Sequence, residues 1–131
     1  MIGLDTNILV RYLTQDDPSQ SRRATELIEQ RLSEDNPGFL SIVAMAEMAW
    51  VLERSYGFAA AKIADTIEQL LGTVEVVVED EQEVFTAMIA LKEGRGSFAD
   101  ALIGALGERA GCSVTVTFDQ KALRLPGFAL P

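Results

Sequence analysis

Short apolar segments alternate along this chain with longer segments of helical periodicity, and that alternation restricts its fold more than any other feature. The short segments are residues 1–4, 39–40, 74–78 and 114–117, which have the composition of strands; residues 1–4 and 74–78 suit buried strands. Strands separated by helices pair in parallel, because each helix carries the chain back to the same end of the sheet. We therefore predict an α/β fold with a mainly parallel central sheet flanked by helices.

Helical periodicity and capping signals define the segments between the strands. Asp17-Pro18 is a typical helix start, since aspartate accepts a hydrogen bond from the first turn and proline fits there without a lost donor. A last helical turn is expected after Asp119. No repeat or linker divides the chain, so residues 1–131 are predicted to form one domain. The expected helices span about residues 7–13, 17–33, 41–54, 59–71, 81–92 and 97–109.

Composition excludes several kinds of chemistry. The chain has no histidine, so a Ser-His-Asp triad, a histidine-ligated zinc site and imidazole acid–base catalysis are ruled out. The single cysteine, Cys112, cannot form an internal disulfide and suits a reducing compartment. No apolar stretch is long enough to span a bilayer, and the first residues lack the basic start of a signal peptide. We expect a cytoplasmic protein that is not associated with membranes.

Four acidic residues differ from the rest, which we interpret as solvated charges. Asp5 and Asp119 each follow a predicted strand, whereas Glu47 and Asp100 are the single charges in long apolar stretches of predicted helices. A carboxylate in apolar surroundings is costly unless it is hydrogen-bonded, paired or bound to a metal. In open parallel sheets, ligands gather at the carboxyl ends of the strands. The pattern predicts that these four carboxylates converge on one site at that edge.

Each of the four acids also has a simpler interpretation. Asp5 could only cap the following helix, and Asp119 could occupy an ordinary turn after a strand. Ser97 and Asp100 match the spacing of a capping box. Glu47 could pair with an arginine such as Arg11 or Arg54. These alternatives remain open at the level of the sequence.

A divalent cation would explain four converging carboxylates, because it removes their mutual repulsion. All-oxygen ligand sets favour hard ions such as Mg²⁺ or Mn²⁺. Such an ion activates water and stabilises the leaving oxygen in phosphodiester hydrolysis, so the chemistry does not need histidine. The residues thus predict a metal-dependent phosphodiesterase site.

Five motifs occur in a fixed order along the chain: Leu4-Asp5-Thr6-Asn7-Ile8-Leu9, Ala46-Glu47, Phe98-Ala99-Asp100-Ala101-Leu102-Ile103, Thr117-Phe118-Asp119 and Leu125-Pro126-Gly127-Phe128. In these motifs the sequence resembles the PIN-domain ribonucleases, in particular the VapC toxins of type II toxin–antitoxin pairs. The resemblance covers essentially the whole chain, and both the order and the spacing of the motifs agree. One departure is Ser97, where many relatives have an acid, which leaves the number of metal ions open.

The resemblance implies an endoribonuclease that depends on Mg²⁺ or Mn²⁺. Asp5, Glu47, Asp100 and Asp119 match the catalytic, metal-binding acids of the family. Thr6, Asn7 and Thr117 match polar positions that orient those acids or the attacking water. The resemblance also implies a homodimer and inhibition by a VapB-type antitoxin, whose C-terminal segment lies in a groove and blocks the site.

A net charge of −9 requires that local basic residues hold any RNA substrate. Arg95, between two glycines shortly before Asp100, and Arg11 are the leading candidates. Trp50 and Phe58 could stack on bases, but core packing is the preferred interpretation of both. The full set of basic candidates is Arg11, Arg22, Arg23, Arg95 and Lys121.

Two other functions are compatible with parts of the pattern. A phosphatase of the haloacid dehalogenase type also has an aspartate directly after its first strand, but it needs a second acid two residues later, where this chain has Asn7. A PIN-like module that only binds another protein would not need the acids. Metal titration and a cleavage assay with and without chelator distinguish these alternatives from a nuclease.

Overall fold

Three parallel strands form the main sheet of the computed structural model, which describes residues 1–131. Strand β1 (Ile2–Gly3) pairs with β2 (Gly38–Leu40), and β2 pairs with β3 (Val76–Val78). The central strand begins at Gly38, where there is no room for a side chain. An added carbon there would lie 2.8 Å from the Leu4 Cδ1 atom. The prediction of an α/β fold with a parallel sheet is confirmed.

Helices cover most of the rest of the chain, close to the predicted segments. Two predicted caps are present, since the Asp17 side chain accepts from the Gln20 N–H and the Ser97 hydroxyl accepts from the Asp100 N–H. None of the helices has the length and apolarity needed to cross a bilayer. The helices are α1 (Thr6–Thr14), α2 (Pro18–Glu26), α3 (Ile42–Tyr56), α4 (Ala60–Leu71), α5 (Glu81–Lys92) and α6 (Phe98–Arg109), followed by a 3-10 turn (Ala122–Arg124).

The second predicted helix, over residues 17–33, has a change of geometry that the sequence did not indicate. The α-helical part ends at Glu26 and continues as a π-helical turn, Leu27–Arg31. The Leu32 N–H donates to the Leu27 carbonyl oxygen at 3.1 Å, which is the five-residue spacing of a π-helix. The wider turn changes the direction in which the side chains at the end of this helix point.

Helix α3 lies at the centre of the core and contacts α1, α4 and α6. Its residues Met45, Met48 and Leu52 are fully buried, at the three- and four-residue spacing of one helical face. Burial of each such side chain stabilises the fold by about 1.5–3 kcal/mol. Because α3 is fixed on one face, the side chains on its other face have defined positions.

The last part of the chain differs from the prediction of one continuous central sheet. Strand β4 (Thr115–Val116) does not join the main sheet but pairs in parallel with β5 (Phe128–Ala129), which the sequence did not predict. Phe128 packs so closely on α6 that a side chain at Gly104 would come within 2.6 Å of its ring. Strand β4 is therefore held by a partner that is anchored to α6.

The β4 segment is predicted as a strand, and in the structure it is largely exposed. Val116 is 58% exposed and Phe118 is 83% exposed. Without a place in the main sheet, this β-branched and aromatic segment has no second layer to cover it. The carboxyl end of β4 therefore does not belong to the edge of the main sheet at which β1 ends.

Candidate active site

One surface cleft, with a volume of about 390 Å³, brings together residues from the start of α1 and from α3. Asp5 lies directly after β1 in extended conformation, and its Oδ1 accepts a hydrogen bond of 2.7 Å from the Thr6 N–H. Glu47 lies in α3 and reaches the same cleft. We call this feature the Asp5–Glu47 cleft; Asp5, Thr6, Asn7, Glu47, Trp50 and Tyr56 are among its lining residues.

Thr6 connects the two carboxylates of the cleft. It is only 7% exposed, and its hydroxyl donates a hydrogen bond to Glu47 Oε1, while its backbone N–H binds Asp5. A buried, β-branched side chain has little rotational freedom. Thr6 therefore fixes the position of Glu47 relative to Asp5.

No cation neutralises the two acids of the cleft, because neither carboxylate belongs to any ion pair of the chain. Arg11 lines the cleft, but its Nη1 atom lies 3.1 Å from Asp16. The Arg54 guanidinium lies over the Trp50 ring, 5.7 Å from its centroid. The alternative that Glu47 pairs with Arg11 or Arg54 is therefore wrong.

The chemistry of this site fits a hydrated Mg²⁺ or Mn²⁺ ion better than a closed cage of protein ligands. Asp5 and Glu47 offer carboxylate oxygens without a competing cation. Mg²⁺ is usually bound by one or two carboxylates and completes its shell with waters and substrate phosphates. In the structure, no group of three or more acidic or cysteine side chains is arranged to hold a metal ion. Asp5 and Glu47 are thus the two acids that the structure brings to one cleft.

The sequence placed the four acids in apolar surroundings, and this was wrong for three of them. Asp5, Glu47 and Asp119 are exposed, and Asp100 is half-buried. In α3 part of the apolar side chains faces the core, whereas Glu47 lies on the open face together with Val43 and Trp50. The apolar composition of a helix therefore does not describe the environment of one residue in it.

Asp100 lies outside the lining of the Asp5–Glu47 cleft, in the first turn of α6. Its backbone N–H donates to the Ser97 hydroxyl at 3.1 Å, but its carboxylate makes no return bond to Ser97. The capping-box alternative thus accounts for the backbone of Asp100 and leaves its carboxylate without a hydrogen-bond partner in the chain.

Asp119 also lies outside the cleft, and its hydrogen bonds belong to a turn. Its N–H donates to the Thr117 hydroxyl at 3.0 Å, and its Oδ1 accepts from the Lys121 N–H at 2.9 Å. These are the local bonds of an ordinary turn after a strand. Because β4 pairs with β5 and not with the main sheet, the structure does not gather the four acids into one cluster.

Arg95, the leading basic candidate, lines a different cleft between α5, α6 and the C-terminal segment. Its Nε atom lies 3.2 Å from Glu93 Oε2, so its charge is partly neutralised. Nothing in this arrangement directs Arg95 toward Asp5 or Glu47.

Trp50 corrects the interpretation of the aromatic residues. It was assigned to the core, but it is 57% exposed and lines the Asp5–Glu47 cleft. Phe58, in contrast, is half-buried and packs against the core as expected. An exposed indole beside the two acids is a suitable surface for a nucleic-acid base.

Arg11, Asp16 and Tyr56 form a hydrogen-bonded network at the rim of the cleft. The Tyr56 hydroxyl donates to Asp16 Oδ2 at 2.5 Å and accepts from Arg11 Nη1 at 3.1 Å. The hydrogen bond with Tyr56 raises the pKa of Arg11, and the bond from Tyr56 is also the main reason that the pKa of Asp16 is lowered. Sequence reasoning missed Asp16 and Tyr56, because nothing in the sequence connects residues 40 positions apart.

Comparison with known proteins agrees with this architecture. The family model described as the PIN domain matches residues 2–127. No curated protein matches the chain. The family match covers nearly the whole chain, including β1 with Asp5, α3 with Glu47, and the segment that carries Asp100 and Asp119. PIN domains are a nuclease-type fold, are generally metal-dependent nucleases and bind RNA. The chain therefore belongs to the PIN-domain family.

Proposed function

We propose that this PIN domain is an endoribonuclease that depends on Mg²⁺ or Mn²⁺ and acts as a VapC-type toxin. One observation carries the proposal of nuclease activity. Two carboxylates from elements about 40 residues apart line one open cleft, are connected through Thr6 and form no ion pair with a basic side chain. Unpaired acids beside each other repel and cost stability, so their arrangement is best explained by a cation that binds there.

Asp5 and Glu47 would hold the ion, which supplies a water of lowered pKa and positive charge opposite the phosphate. Thr6 restricts the rotation of Glu47 through its hydroxyl. The exposed amide of Asn7 lies at the same rim and can donate a hydrogen bond to a phosphate oxygen. In the overall reaction, water adds to phosphorus, one P–O bond breaks, and the leaving oxygen takes a proton.

Asp100, Asp119 and Thr117 remain proposed members of the site. Asp100 has the stronger support, because its carboxylate is free of hydrogen bonds and α6 packs against α3, which carries Glu47. Asp119 and Thr117 are bonded to each other in a turn. We therefore rank Asp119 as the acid whose loss would matter least.

The test of nuclease activity is RNA cleavage by the purified protein with Mg²⁺ or Mn²⁺, with and without a chelator, beside an Asp5→Asn variant. We expect cutting within the strand that the chelator abolishes and the variant loses. The variant keeps the shape of the side chain and removes its charge. No cleavage with either metal would contradict nuclease activity and favour a module that only binds a partner. Equal cleavage by both proteins would exclude Asp5 from the chemistry.

The toxin role, a homodimer and a VapB-type antitoxin are proposed on the sequence resemblance. Large apolar side chains that remain exposed, including Val43, Ile103 and Phe118, provide surface that such partners would cover. Production of the protein alone should arrest growth, and production together with its antitoxin should restore it. Light scattering should give twice the mass of one chain. A monomeric mass would contradict the homodimer, and growth that the protein does not slow would contradict the toxin role.

A further inference from the structure

A second cleft lies directly beside the Asp5–Glu47 cleft, between α1, α2 and the π-helical turn. Its volume is about 400 Å³, and Arg11, Arg23 and Arg31 are among its lining residues. We call it the arginine cleft. Asn7 and Arg11 line both clefts, so the two are adjacent.

The arginine cleft is positively charged on a chain whose net charge is −9. Arg23 and Arg31 are exposed and belong to no ion pair. Arg11 is paired with Asp16, and Glu26 is the one acid in the lining. The lining of the arginine cleft therefore contains two unpaired arginines and one glutamate. The neighbouring Asp5–Glu47 cleft contains two unpaired carboxylates.

The π-helical turn helps to place Arg31 in this cleft. In a regular α-helix, residues four positions apart are rotated beyond one full turn, so the faces of Arg23, Leu27 and Arg31 would progressively diverge. Four residues of a π-helical turn fall short of one full turn, so the deviation from Leu27 to Arg31 offsets that from Arg23 to Leu27, and all three residues line the cleft. Such turns are rare and occur frequently at functional sites. An arginine that the sequence did not single out is thereby aligned with Arg23.

We infer that the arginine cleft binds phosphates of the RNA strand as that strand extends out of the Asp5–Glu47 cleft. This inference rests on the proposed nuclease function, since it names where the substrate backbone lies. Arginine binds phosphate oxygens through its planar fork of donors, and a single strand presents one phosphate per nucleotide. The arginine cleft is basic and the Asp5–Glu47 cleft is acidic. This combination favours a ligand whose scissile phosphate needs a metal cation, held by the acids, and whose next phosphates need the arginines. An acidic protein segment would use the arginines but would gain nothing from Asp5 and Glu47.

The test compares an Arg23→Gln/Arg31→Gln variant with a control that loses the same charge elsewhere, Lys62→Gln/Arg124→Gln. Lys62 and Arg124 are exposed, form no ion pair and lie outside both clefts. Binding of a fluorescent single-stranded RNA is measured in chelator over a range of salt concentrations, and cleavage is measured separately with Mg²⁺ or Mn²⁺. Circular dichroism checks that each variant is folded.

We expect the arginine variant to bind RNA about tenfold more weakly at low salt, with a raised KM and an unchanged kcat. The slope of log affinity against log salt should become shallower by about 1.4, which corresponds to two lost phosphate contacts on a single strand. In the Lys62→Gln/Arg124→Gln control, the RNA affinity and the salt slope should both change much less. Equal losses in the arginine variant and the control would reduce the effect to net charge and overturn the inference.

The remaining outcomes separate the cleft from the nuclease function. If the wild-type protein cleaves RNA and the arginine variant binds and cleaves equally well, the arginine cleft is not a subsite although the nuclease function stands. If RNA binding requires the arginines but no metal supports cleavage, the cleft is confirmed and the nuclease function fails. If a polyglutamate peptide binds the cleft as tightly as RNA does, the cleft belongs to an acidic protein segment and the inference is wrong.

Discussion

Asp5 and Asp119 each follow a parallel strand, but the structure holds them in different ways. Asp5 follows a strand of the main sheet and is bonded to the buried Thr6, which also binds Glu47. Asp119 follows a strand of the separate two-stranded sheet and is bonded only within its own turn. An acid at the end of a strand therefore acquires a defined site under two conditions. Its strand must belong to the main sheet, and the residue next to it must be bonded to a second element, as Thr6 is bonded to α3.

The largest effect is expected from removal of either charge in the Asp5–Glu47 cleft. Asp5→Asn and Glu47→Gln should each lower the rate of RNA cleavage at least about a hundredfold, because metal-assisted stabilisation of the transition state is worth several kcal/mol. Single-turnover cleavage assays measure the rates. Glu53→Gln, which removes an exposed charge on the same helix as Glu47 but outside the cleft, is the control. If only one of the two variants loses activity, Asp5 and Glu47 do not act together in one site.

The packing of β5 on α6 should be weakened by a substitution that leaves the Asp5–Glu47 cleft unchanged. Gly104→Ala adds a carbon 2.6 Å from the Phe128 ring, so the ring must shift from its packing on α6. We expect a loss of roughly 1–3 kcal/mol in the free energy of unfolding, typical of overpacking. Urea denaturation measures it, with Gly72→Ala, where the added carbon meets only ordinary contacts, as control. Destabilisation equal to that of the control would show that Phe128 does not hold this sheet.

Thr6→Val tests the connection between the two acids of the cleft. The change keeps the shape of a buried side chain and removes the hydroxyl that binds Glu47. We expect about tenfold weaker metal binding, since loss of a group that orients a ligand costs about 10–100-fold. Calorimetric titration with Mn²⁺ measures the affinity, and Thr6→Ser, which retains the hydroxyl, should recover most of it. Wild-type affinity in the valine variant would remove Thr6 from its positioning role.

Asp119→Asn sharpens the comparison between the two strand ends. Because the Asp119 carboxylate accepts a local bond that asparagine can still accept, we expect cleavage to fall about tenfold or less. The same assay as for Asp5 measures it. A loss as large as that of Asp5→Asn would mean that Asp119 enters the site when RNA and metal bind.

The smallest effect is expected at the rim of the cleft. Tyr56→Phe removes the hydrogen bond that chiefly lowers the pKa of Asp16, so that pKa should rise toward its ordinary value of 3.8. A lowered pKa in the folded state stabilises the protein above the unfolded pKa, and this stabilisation is lost as pH falls through the folded value. The difference in stability between the two proteins should therefore be present at neutral pH and vanish in acid. NMR titration of the Asp16 carboxyl measures the shift; an unchanged pKa would contradict it.

Much of the fold could be predicted from the sequence, because strands and helices have local signals. The start of α2 at Asp17-Pro18 and the start of α6 at Ser97 follow from capping chemistry. The pairing of β4 with β5 could not be predicted, since it depends on how Phe128 packs against Gly104 across the fold. The π-helical turn after α2 has no local signature either.

The candidate site was only partly predictable, for a similar physical reason. Asp5 and Glu47 could be selected as unusual acids, and Thr6 and Asn7 through their motif. Their common cleft depends on the packing of α1 against α3, which the sequence does not determine locally. Trp50 was assigned to the core because α3 is apolar, but a helix that is buried on one face still exposes the other.

Titration of the free protein with Mn²⁺, followed by electron paramagnetic resonance, tests most directly whether Asp5 and Glu47 form the metal site. We predict that the wild-type protein and Asp119→Asn each bind Mn²⁺ with similar affinity, and that Asp5→Asn/Glu47→Gln does not bind it in the same range. Equal binding by the double variant, or binding lost only with Asp119, would contradict the assignment of the site to the Asp5–Glu47 cleft.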